Sequence, residues 1–341
     1  MKRFAMALLL VLAFSLCIAV SSRDALLAAE LTEQTEGSGE RNAPGQEEQT
    51  EYIGSVPEEY FAASEHPGQV TEVSYESRDY TDEAENTIEK TAYVYLPYGY
   101  DGSDQTTRYD ILYLMHGWTM TAGDFFYDVD SGIVNMLDHM IENGDIPPVI
   151  VVCATFDAQN QSQSFSRSVD ELSVFHRDLR ENLIPYIESH YLTYAQGTTE
   201  EELQVSREHR AFGGFSLGAV TTWHQFVNNL DYIKYFVPMS GDCWVMGTYG
   251  GLYYPEETAD YLEDVVTDGG WSEGDFRIYQ GIGTDDPIWD QTDSQIQEMF
   301  RRNLFTEENL HYAVIEGGRH DIDACERYLY GALQDFFGKE S

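Results

Sequence analysis

The sequence contains few basic residues and few cysteines, and both shortages exclude classes of function. Its 341 residues include 19 Lys and Arg against 60 Asp and Glu, which gives a formal net charge of −41. Because nucleic acids and anionic membranes are bound through clustered Lys and Arg, the sequence argues against both as partners. The four cysteines form neither a CxxC metal pattern nor a disulfide framework, although Cys243 and Cys325 could pair in an exported protein. The sequence also lacks HExxH, P-loop and dinucleotide-binding motifs, so no metal and no other cofactor is expected.

The N-terminus has the pattern of an export signal. Lys2 and Arg3 precede an apolar run over residues 4–20, and small residues follow at a suitable cleavage position. The run lies near the lower length limit for a membrane span, so an uncleaved anchor is the alternative. We expect a signal peptide over residues 1–21 and a secreted protein with no other membrane contact.

Composition divides the remaining chain into a linker and a folded domain. Residues 22–52 are rich in Glu, Thr, Gly, Ser and Gln, which predicts an acidic flexible linker. Hydrophobic residues make up 42% of the whole sequence and aromatic residues 13%, enough for a large core. We therefore expect one folded domain over residues 53–341.

Apolar, strand-like runs alternate with helical segments throughout this domain. Residues 111–115 and 149–153 are continuously apolar, as strands covered on both faces are. Residues 133–141 and 172–191 instead carry apolar side chains at helical spacing. This alternation predicts an α/β fold with a mostly parallel central sheet and helices on both faces.

The sharpest catalytic motif is Gly-Phe-Ser-Leu-Gly at residues 214–218. It lies between an apolar strand ending at Gly213 and a helix beginning near Gly218, the context in which GxSxG forms a nucleophile elbow. Such a turn exposes the hydroxyl of Ser216, and the helix N-terminus behind it favours developing negative charge. Ser216 is therefore the predicted nucleophile.

A serine nucleophile needs a histidine base, which follows the elbow in the chain order of this architecture. Six of the nine histidines precede Ser216, His224 falls within the following helix, and His311 opens the last strand. His320 lies in a glycine-bounded loop after that strand and is the predicted base.

The acid that orients this base has several candidates. Asp285 and Asp286 follow the strand predicted over residues 276–281, where the acid is expected, and we favour Asp286. Asp242 follows the preceding strand, at a position that some α/β hydrolases use instead. Asp290 is a weaker choice.

The developing oxyanion requires preorganised N–H donors. The residue after the nucleophile, Leu217, supplies one, and the loop at residues 116–119 supplies the other because it directly follows an apolar strand. We assign the second donor to Trp118 and expect His116 to be a structural hydrogen-bonding residue.

Four segments resemble a known enzyme family. They are Leu-Tyr-Leu-Met-His-Gly at residues 112–117, Asp-Leu-Arg-Glu-Asn-Leu-Ile-Pro-Tyr-Ile-Glu at 178–188, the serine segment at 207–218 and Gly-Arg-His-Asp at 318–321. The sequence is similar to the esterase D-like esterases, and within them to the bacterial feruloyl and acetyl-xylan esterases of carbohydrate esterase family one, which implies a bacterial protein. The resemblance covers residues 70–337, which is nearly all of the predicted domain.

This resemblance implies an α/β-hydrolase fold and a catalytic triad of Ser216, Asp286 and His320. It further implies a secreted serine esterase that removes feruloyl or acetyl groups from plant cell-wall xylan, with a small-molecule or polysaccharide ester as its partner. Another exported esterase or acyltransferase of the superfamily, such as a siderophore esterase or a mycolyl-type transferase, is an alternative. A non-catalytic carbohydrate-binding relative is another, but all three triad positions are filled here.

The resemblance also bears on substrate binding. The segment Gly-Asp-Cys-Trp at residues 241–244 is similar to one that lines the site in feruloyl esterases, which assigns Asp242 and Trp244 to the substrate. Trp289 follows the acid and is a further candidate, because aromatic rings stack on phenolic groups and on sugars.

Overall fold

The computed structural model describes residues 49–104, 106–157 and 164–338. Strands in these residues form a single nine-stranded sheet. In chain order the strands are β1 Thr50–Tyr52, β2 Gln69–Arg78, β3 Thr87–Leu96, β4 Asp110–Met115, β5 Val149–Ala154, β6 Arg210–Phe215, β7 Tyr235–Met239, β8 Arg277–Gly283 and β9 Leu310–Ile315.

The strand order of the sheet is β1-β9-β8-β7-β6-β4-β5-β3-β2. The β2–β3 and β3–β5 pairs are antiparallel, and the other neighbouring pairs are parallel. Every residue of β5 and β6 is buried, because helices cover both faces of the sheet. The predicted α/β fold with a mostly parallel sheet is confirmed, and it has the α/β-hydrolase architecture.

The helices alternate with these strands. The α-helices are α1 Asp124–Tyr127, α2 Ile133–Asn143, α3 Phe165–Asp178, α4 Ile184–His190, α5 Glu200–Val205, α6 Leu217–Asn228, α7 Gly250–Tyr253, α8 Pro255–Asp268, α9 Trp289–Met299 and α10 Ile322–Phe337. A π-helical turn, Leu179–Leu183, joins α3 to α4, so the helix expected over residues 172–191 is present and begins earlier, at Phe165. Within the described part of the chain, no helix combines the length and the apolar character that a membrane span requires.

A layer of apolar side chains lies on each face of the sheet. Helices α2 and α10 pack on one face, where Met136 and Leu333 are buried. Helices α3, α6 and α8 cover the other face, where Leu172, Trp223 and Leu262 are buried. These two layers fix the carboxyl ends of the central strands, and therefore the loops that follow them.

The N-terminal boundary of the domain lies earlier than the sequence indicates. Thr50–Tyr52 forms β1 and pairs in parallel with β9, with Thr50 opposite Tyr312. The linker expected over residues 22–52 therefore does not extend to residue 52. This strand has only three residues, two of them exposed, so it is too short to show the alternation of apolar and polar residues that predicts a strand. The rest of that linker up to residue 48, and the signal peptide expected over residues 1–21, lie outside the described residues.

The cysteines within the described residues are free and buried. Cys243 and Cys325 are unpaired thiols, so the disulfide considered from the sequence is not formed. Burial raises the pKa of the Cys243 thiol to about 12, which keeps it protonated and unreactive at neutral pH.

A buried ion pair anchors the strand that leads to the serine elbow. Arg210 opens β6, and its side chain is only 1% exposed. The guanidinium donates to both carboxylate oxygens of Glu188 at 2.6 and 2.9 Å and to the carbonyl oxygen of Leu203 at 3.0 Å. Since an unpaired charge at this depth would be strongly destabilising, the pair fixes the position of β6 relative to α4.

Candidate active site

Ser216 lies in a sharp turn between β6 and α6. Its backbone has φ 58° and ψ −116°, a conformation that residues other than glycine rarely adopt. The Ser216 N–H donates to the carbonyl oxygen of Met239 at 2.9 Å, and its carbonyl oxygen accepts from the N–H of Ala219 at 2.9 Å. The surrounding hydrogen bonds therefore hold a strained residue in place, as in a nucleophile elbow.

The two glycines of the motif are required by close backbone packing. A β-carbon on Gly218 would lie 2.1 Å from the carbonyl oxygen of Met115 at the end of β4. One on Gly214 would lie 2.5 Å from the carbonyl oxygen of Gly218. Any side chain at either position would push the elbow away from β4.

His320 and Asp286 are hydrogen-bonded to each other. The His320 Nδ1 atom lies 2.9 Å from Oδ2 and 3.1 Å from Oδ1 of Asp286. The Asp286 side chain is fully buried and also accepts the N–H of Ile288 at 3.0 Å, while Asp285 is exposed. An ionised carboxylate can only accept, so His320 donates through Nδ1–H and its Nε2 is left to accept a proton.

The loops that carry this pair meet at the carboxyl edge of the sheet beside the elbow. The N–H of Asp285 donates to the carbonyl oxygen of Gly318 at 3.0 Å, and the N–H of Gly317 donates to Thr284 Oγ1 at 2.8 Å. The imidazole of His320 packs on the ring of Phe215, the residue before the serine, with 4.4 Å between ring centroids. The structure thus places the predicted base and acid beside Phe215, the residue that precedes the predicted nucleophile.

The loop after β4 lies directly against the nucleophile. A β-carbon on Gly117 would be 3.2 Å from the β-carbon of Ser216. Leu217 is the first residue of α6, so its N–H belongs to the orphan donors of the helix N-terminus. The Gly117–Trp118 segment and the N-terminus of α6 therefore both lie next to Ser216.

His116 holds the peptide group between Gly117 and Trp118. Its Nδ1 donates to the carbonyl oxygen of Gly117 at 2.8 Å, and its Nε2 accepts from the hydroxyl of Thr155 at 2.7 Å. Burial lowers the pKa of His116 to about 4, so the ring stays neutral and keeps this tautomer. Because the two groups of a trans peptide point in opposite directions, fixing the Gly117 carbonyl also fixes the N–H of Trp118.

We predict that Thr155→Val lowers kcat about tenfold with little change in KM. Valine keeps the shape of the side chain but removes the hydroxyl that orients His116, and losing a buried hydrogen bond costs about 1–3 kcal/mol. Steady-state kinetics measure the effect. Thr193→Val is the matched control, because it removes an equally buried hydroxyl that bonds Glu188, away from the serine. An unchanged kcat in Thr155→Val would show that His116 does not position the N–H of Trp118 for catalysis.

Four aromatic rings contact one another in series from the loop after β4 to the segment after β7. Trp118 and Phe165 lie edge to face with 5.2 Å between their centroids, and Phe165 lies 6.1 Å from Trp244. Trp244 in turn packs against Tyr249 at 5.0 Å. We call these four residues the aromatic cluster. Sequence reasoning missed Phe165 and Tyr249, because neither belongs to a motif and each comes from a segment distant in sequence.

Asp242 positions Trp244 and does not contact His320. Its Oδ1 accepts from the indole Nε1–H of Trp244 and its Oδ2 from the N–H of Gly251, both at 2.8 Å. Burial raises the pKa of Asp242 to about 6, so the side chain is mainly ionised at neutral pH and accepts both bonds. Trp289 opens α9 and packs instead against Tyr312, at 6.4 Å between centroids. Within the described ranges, no group of three or more His, Cys, Asp or Glu side chains could hold a metal ion.

A family model described as "Putative esterase" matches residues 87–332, which include the elbow, the acid loop and the histidine loop. The chain belongs to this esterase family. The resemblance inferred from the sequence is therefore confirmed.

The chain is similar to segments of two larger enzymes. Endo-1,4-beta-xylanase Y of Acetivibrio thermocellus is 34% identical over 288 residues, which cover 83% of this chain and 24% of that protein. Endo-1,4-beta-xylanase/feruloyl esterase of Xylanibacter ruminicola is 31% identical over 173 residues, 50% of this chain and 21% of that protein. The chain thus spans less than a quarter of the length of these curated relatives.

A solved structure matches the esterase chain over nearly its whole fold. It is a serine-to-alanine mutant of the feruloyl esterase module from Clostridium thermocellum in complex with sinapinate. The two share 30% identity and a TM-score of 0.72, covering 88% of this chain and 96% of that module.

Proposed function

We propose that the chain is a secreted serine carboxylic-ester hydrolase that uses Ser216, His320 and Asp286. The observation that carries this proposal is the His320–Asp286 hydrogen bond of 2.9 Å, held in loops beside the strained serine elbow. A strained serine with a buried acid–imidazole pair beside it is the arrangement that nucleophilic ester hydrolysis needs. Secretion rests on the export signal predicted at the N-terminus.

Hydrolysis then proceeds in two acyl-transfer steps. The Ser216 oxygen attacks the ester carbonyl carbon while Nε2 of His320 takes the hydroxyl proton, and Asp286 stabilises the imidazolium. The negative oxygen is bound by the N–H groups of Leu217 and Trp118, each worth about 3–4 kcal/mol in comparable sites. His320 returns the proton to the leaving alcohol, which departs and leaves an acyl-serine. Water then attacks the acyl carbon with the same proton path, releasing the acid and restoring Ser216.

We propose a feruloyl or acetyl group on plant cell-wall xylan as the substrate. The aromatic cluster offers edges and faces on which a phenolic acyl group packs well. The relatives named above include a feruloyl esterase module solved with sinapinate, which supports a phenolic acid as the acyl group. The xylanase activity named for the larger relatives is not assigned to this chain, because the matched segment is a minor part of each.

Hydrolysis of two esters tests whether the enzyme releases a feruloyl or an acetyl group. Methyl ferulate and an acetylated xylo-oligosaccharide are each incubated with wild type and Ser216→Ala, and the released acids are quantified. Ferulate release that depends on Ser216 supports a phenolic acyl site, and release of acetate alone supports a small acyl site. Hydrolysis of neither ester, or turnover that persists in the variant, would contradict the proposed function.

We predict that Trp244→Ala raises KM for methyl ferulate about tenfold and leaves KM for 4-nitrophenyl acetate nearly unchanged. The indole is fixed by Asp242 and offers its face to a large ring, while an acetyl group is too small to use it. The same substitution at Trp289 is expected to have a smaller effect, because that ring packs on Tyr312. Trp271→Ala is the control, since Trp271 packs on Arg207. Equal changes for both esters would argue against a phenolic acyl site.

A further inference from the structure

A polar cleft opens beside the loop that follows β4, on the other side of the site from Trp244 and Tyr249. Its volume is about 250 Å³, and its walls come from β2, β3 and the segments that follow β4 and β5. Trp244 and Tyr249 of the aromatic cluster follow β7. Because β7 and β5 lie on opposite sides of the β6–β4 pair in the sheet, these two rings and the cleft lie on opposite sides of the strand that leads to Ser216.

Gly117 lies between the cleft and the nucleophile. Met120 lines it, and its sulfur lies 3.4 Å from the position of a β-carbon on Gly117. That same position is 3.2 Å from the β-carbon of Ser216. Thr155 forms another part of the wall and bonds His116 at 2.7 Å. The cleft therefore opens beside the loop that contacts Ser216.

Carboxylates, hydroxyls and one aromatic ring make up the polar wall. Glu72 and Tyr93 are direct partners across the β2–β3 pair, and the tyrosine hydroxyl is hydrogen-bonded to the Glu72 carboxylate. Thr91 lies two residues before Tyr93 and so faces the same side of β3. Asp157 closes the wall and is only 4% exposed. Among the described residues, the lining contains no Lys or Arg.

This set of groups favours a neutral, polyhydroxylated ligand. Ionised carboxylates accept strong hydrogen bonds from hydroxyl donors, whereas they repel an anion at short range. The ring of Tyr93 stands edge to face with Tyr127 at 5.5 Å, and Tyr127 is 60% exposed, which extends an aromatic surface beside the carboxylates. A volume of 250 Å³ is slightly smaller than the roughly 300–1,000 Å³ of sites for drug-sized ligands, so the cleft suits one sugar residue.

We propose that this cleft binds the sugar residue that carries the ester, the alcohol part of the substrate. The proposal rests on the proposed function, since it divides the same site into an acyl side and an alcohol side. The aromatic cluster takes the acyl group, and Glu72, Tyr93 and Asp157 take the hydroxyl groups of the sugar. A simple alkyl ester leaves the cleft unused.

The test compares Glu72→Ala with Glu76→Ala on two esters of the same acid. Both glutamates are exposed on the same face of β2, but only Glu72 lines the cleft. The esters are methyl ferulate and a feruloylated arabinoxylan oligosaccharide, or 4-nitrophenyl acetate and an acetylated xylo-oligosaccharide if only acetate is released. For Glu72→Ala we expect KM for the oligosaccharide ester to rise about tenfold at constant kcat, with the simple ester unchanged. Glu76→Ala should match wild type on both.

A second measurement is independent of turnover of the sugar ester. The unesterified oligosaccharide should inhibit hydrolysis of the simple ester competitively in wild type, and its inhibition constant should rise in Glu72→Ala. If wild type hydrolyses the simple ester with dependence on Ser216 but Glu72→Ala changes neither parameter, the cleft proposal is overturned and the proposed function stands. If wild type hydrolyses no ester, the proposed function itself fails.

Discussion

Replacing Ser216 with alanine should abolish ester hydrolysis while the chain stays folded. The hydroxyl is the attacking atom, and removal of the nucleophile from a comparable serine triad lowers kcat by about 10⁶-fold. Release of ferulate or acetate measures the loss, and circular dichroism checks the fold. Ser189→Ala is the matched control, because that serine is exposed on α4 and should keep full activity. A Ser216→Ala variant that still turned over ester would place the nucleophile elsewhere.

A second substitution, Ser216→Gly, tests whether the backbone at residue 216 is strained, independently of catalysis. Ser216 has φ 58° and ψ −116°, where a side chain costs about 1–3 kcal/mol and glycine costs little. Part of this gain is lost to the greater freedom of glycine in the unfolded chain. We therefore expect Ser216→Gly to be inactive yet more stable than Ser216→Ala by about 1 kcal/mol, a rise in Tm of about 2–4 °C. A lower Tm for the glycine variant would mean that the elbow stores no strain.

The elbow could be predicted from sequence because its constraints are local. Gly214 and Gly218 are needed where the backbone of the turn touches β4, and the strands and helices around them carry strong apolar patterns. His320 could be found by chain order together with its place in the loop after the last strand. The same local reasoning fails for β1, because Thr50–Tyr52 is held by pairing with β9 rather than by its own side chains.

Other parts of the site depend on contacts between distant segments. The aromatic cluster joins residues that follow β4 and β7 to the first residue of α3, and the polar cleft joins four segments of the chain. No spacing in the sequence relates such segments. Asp242 shows the same limit, since its position after β7 fits an acid, yet both of its oxygens are used by Trp244 and Gly251. The roles of these residues depend on their burial and on the direction of their hydrogen bonds, and neither property can be inferred from the spacing of residues in the sequence.

Burial also distinguishes Asp286 from Asp285 as the candidate triad acid. Asp286 is buried and bonds His320, whereas the neighbouring Asp285 is exposed. We expect Asp286→Asn to lower kcat by about 10⁴-fold, as the equivalent change does in a serine protease triad. Asp285→Asn removes the same charge from the next residue and should keep kcat within about twofold, since exposed loop charges contribute little.

The size of this effect follows from the tautomer of His320. In Asp286→Asn the amide oxygen still accepts the N–H of Ile288, so the amide NH₂ is turned toward Nδ1 of the imidazole. Nδ1 must then accept, which places the ring proton on Nε2, and an Nε2 that carries a proton cannot take one from Ser216. Kinetics of both variants on one ester, with Tm measured alongside, test the assignment. A large loss in Asp285→Asn with activity kept in Asp286→Asn would reverse it, and a large loss in both would mean that the charge of the loop, rather than the tautomer, supports catalysis.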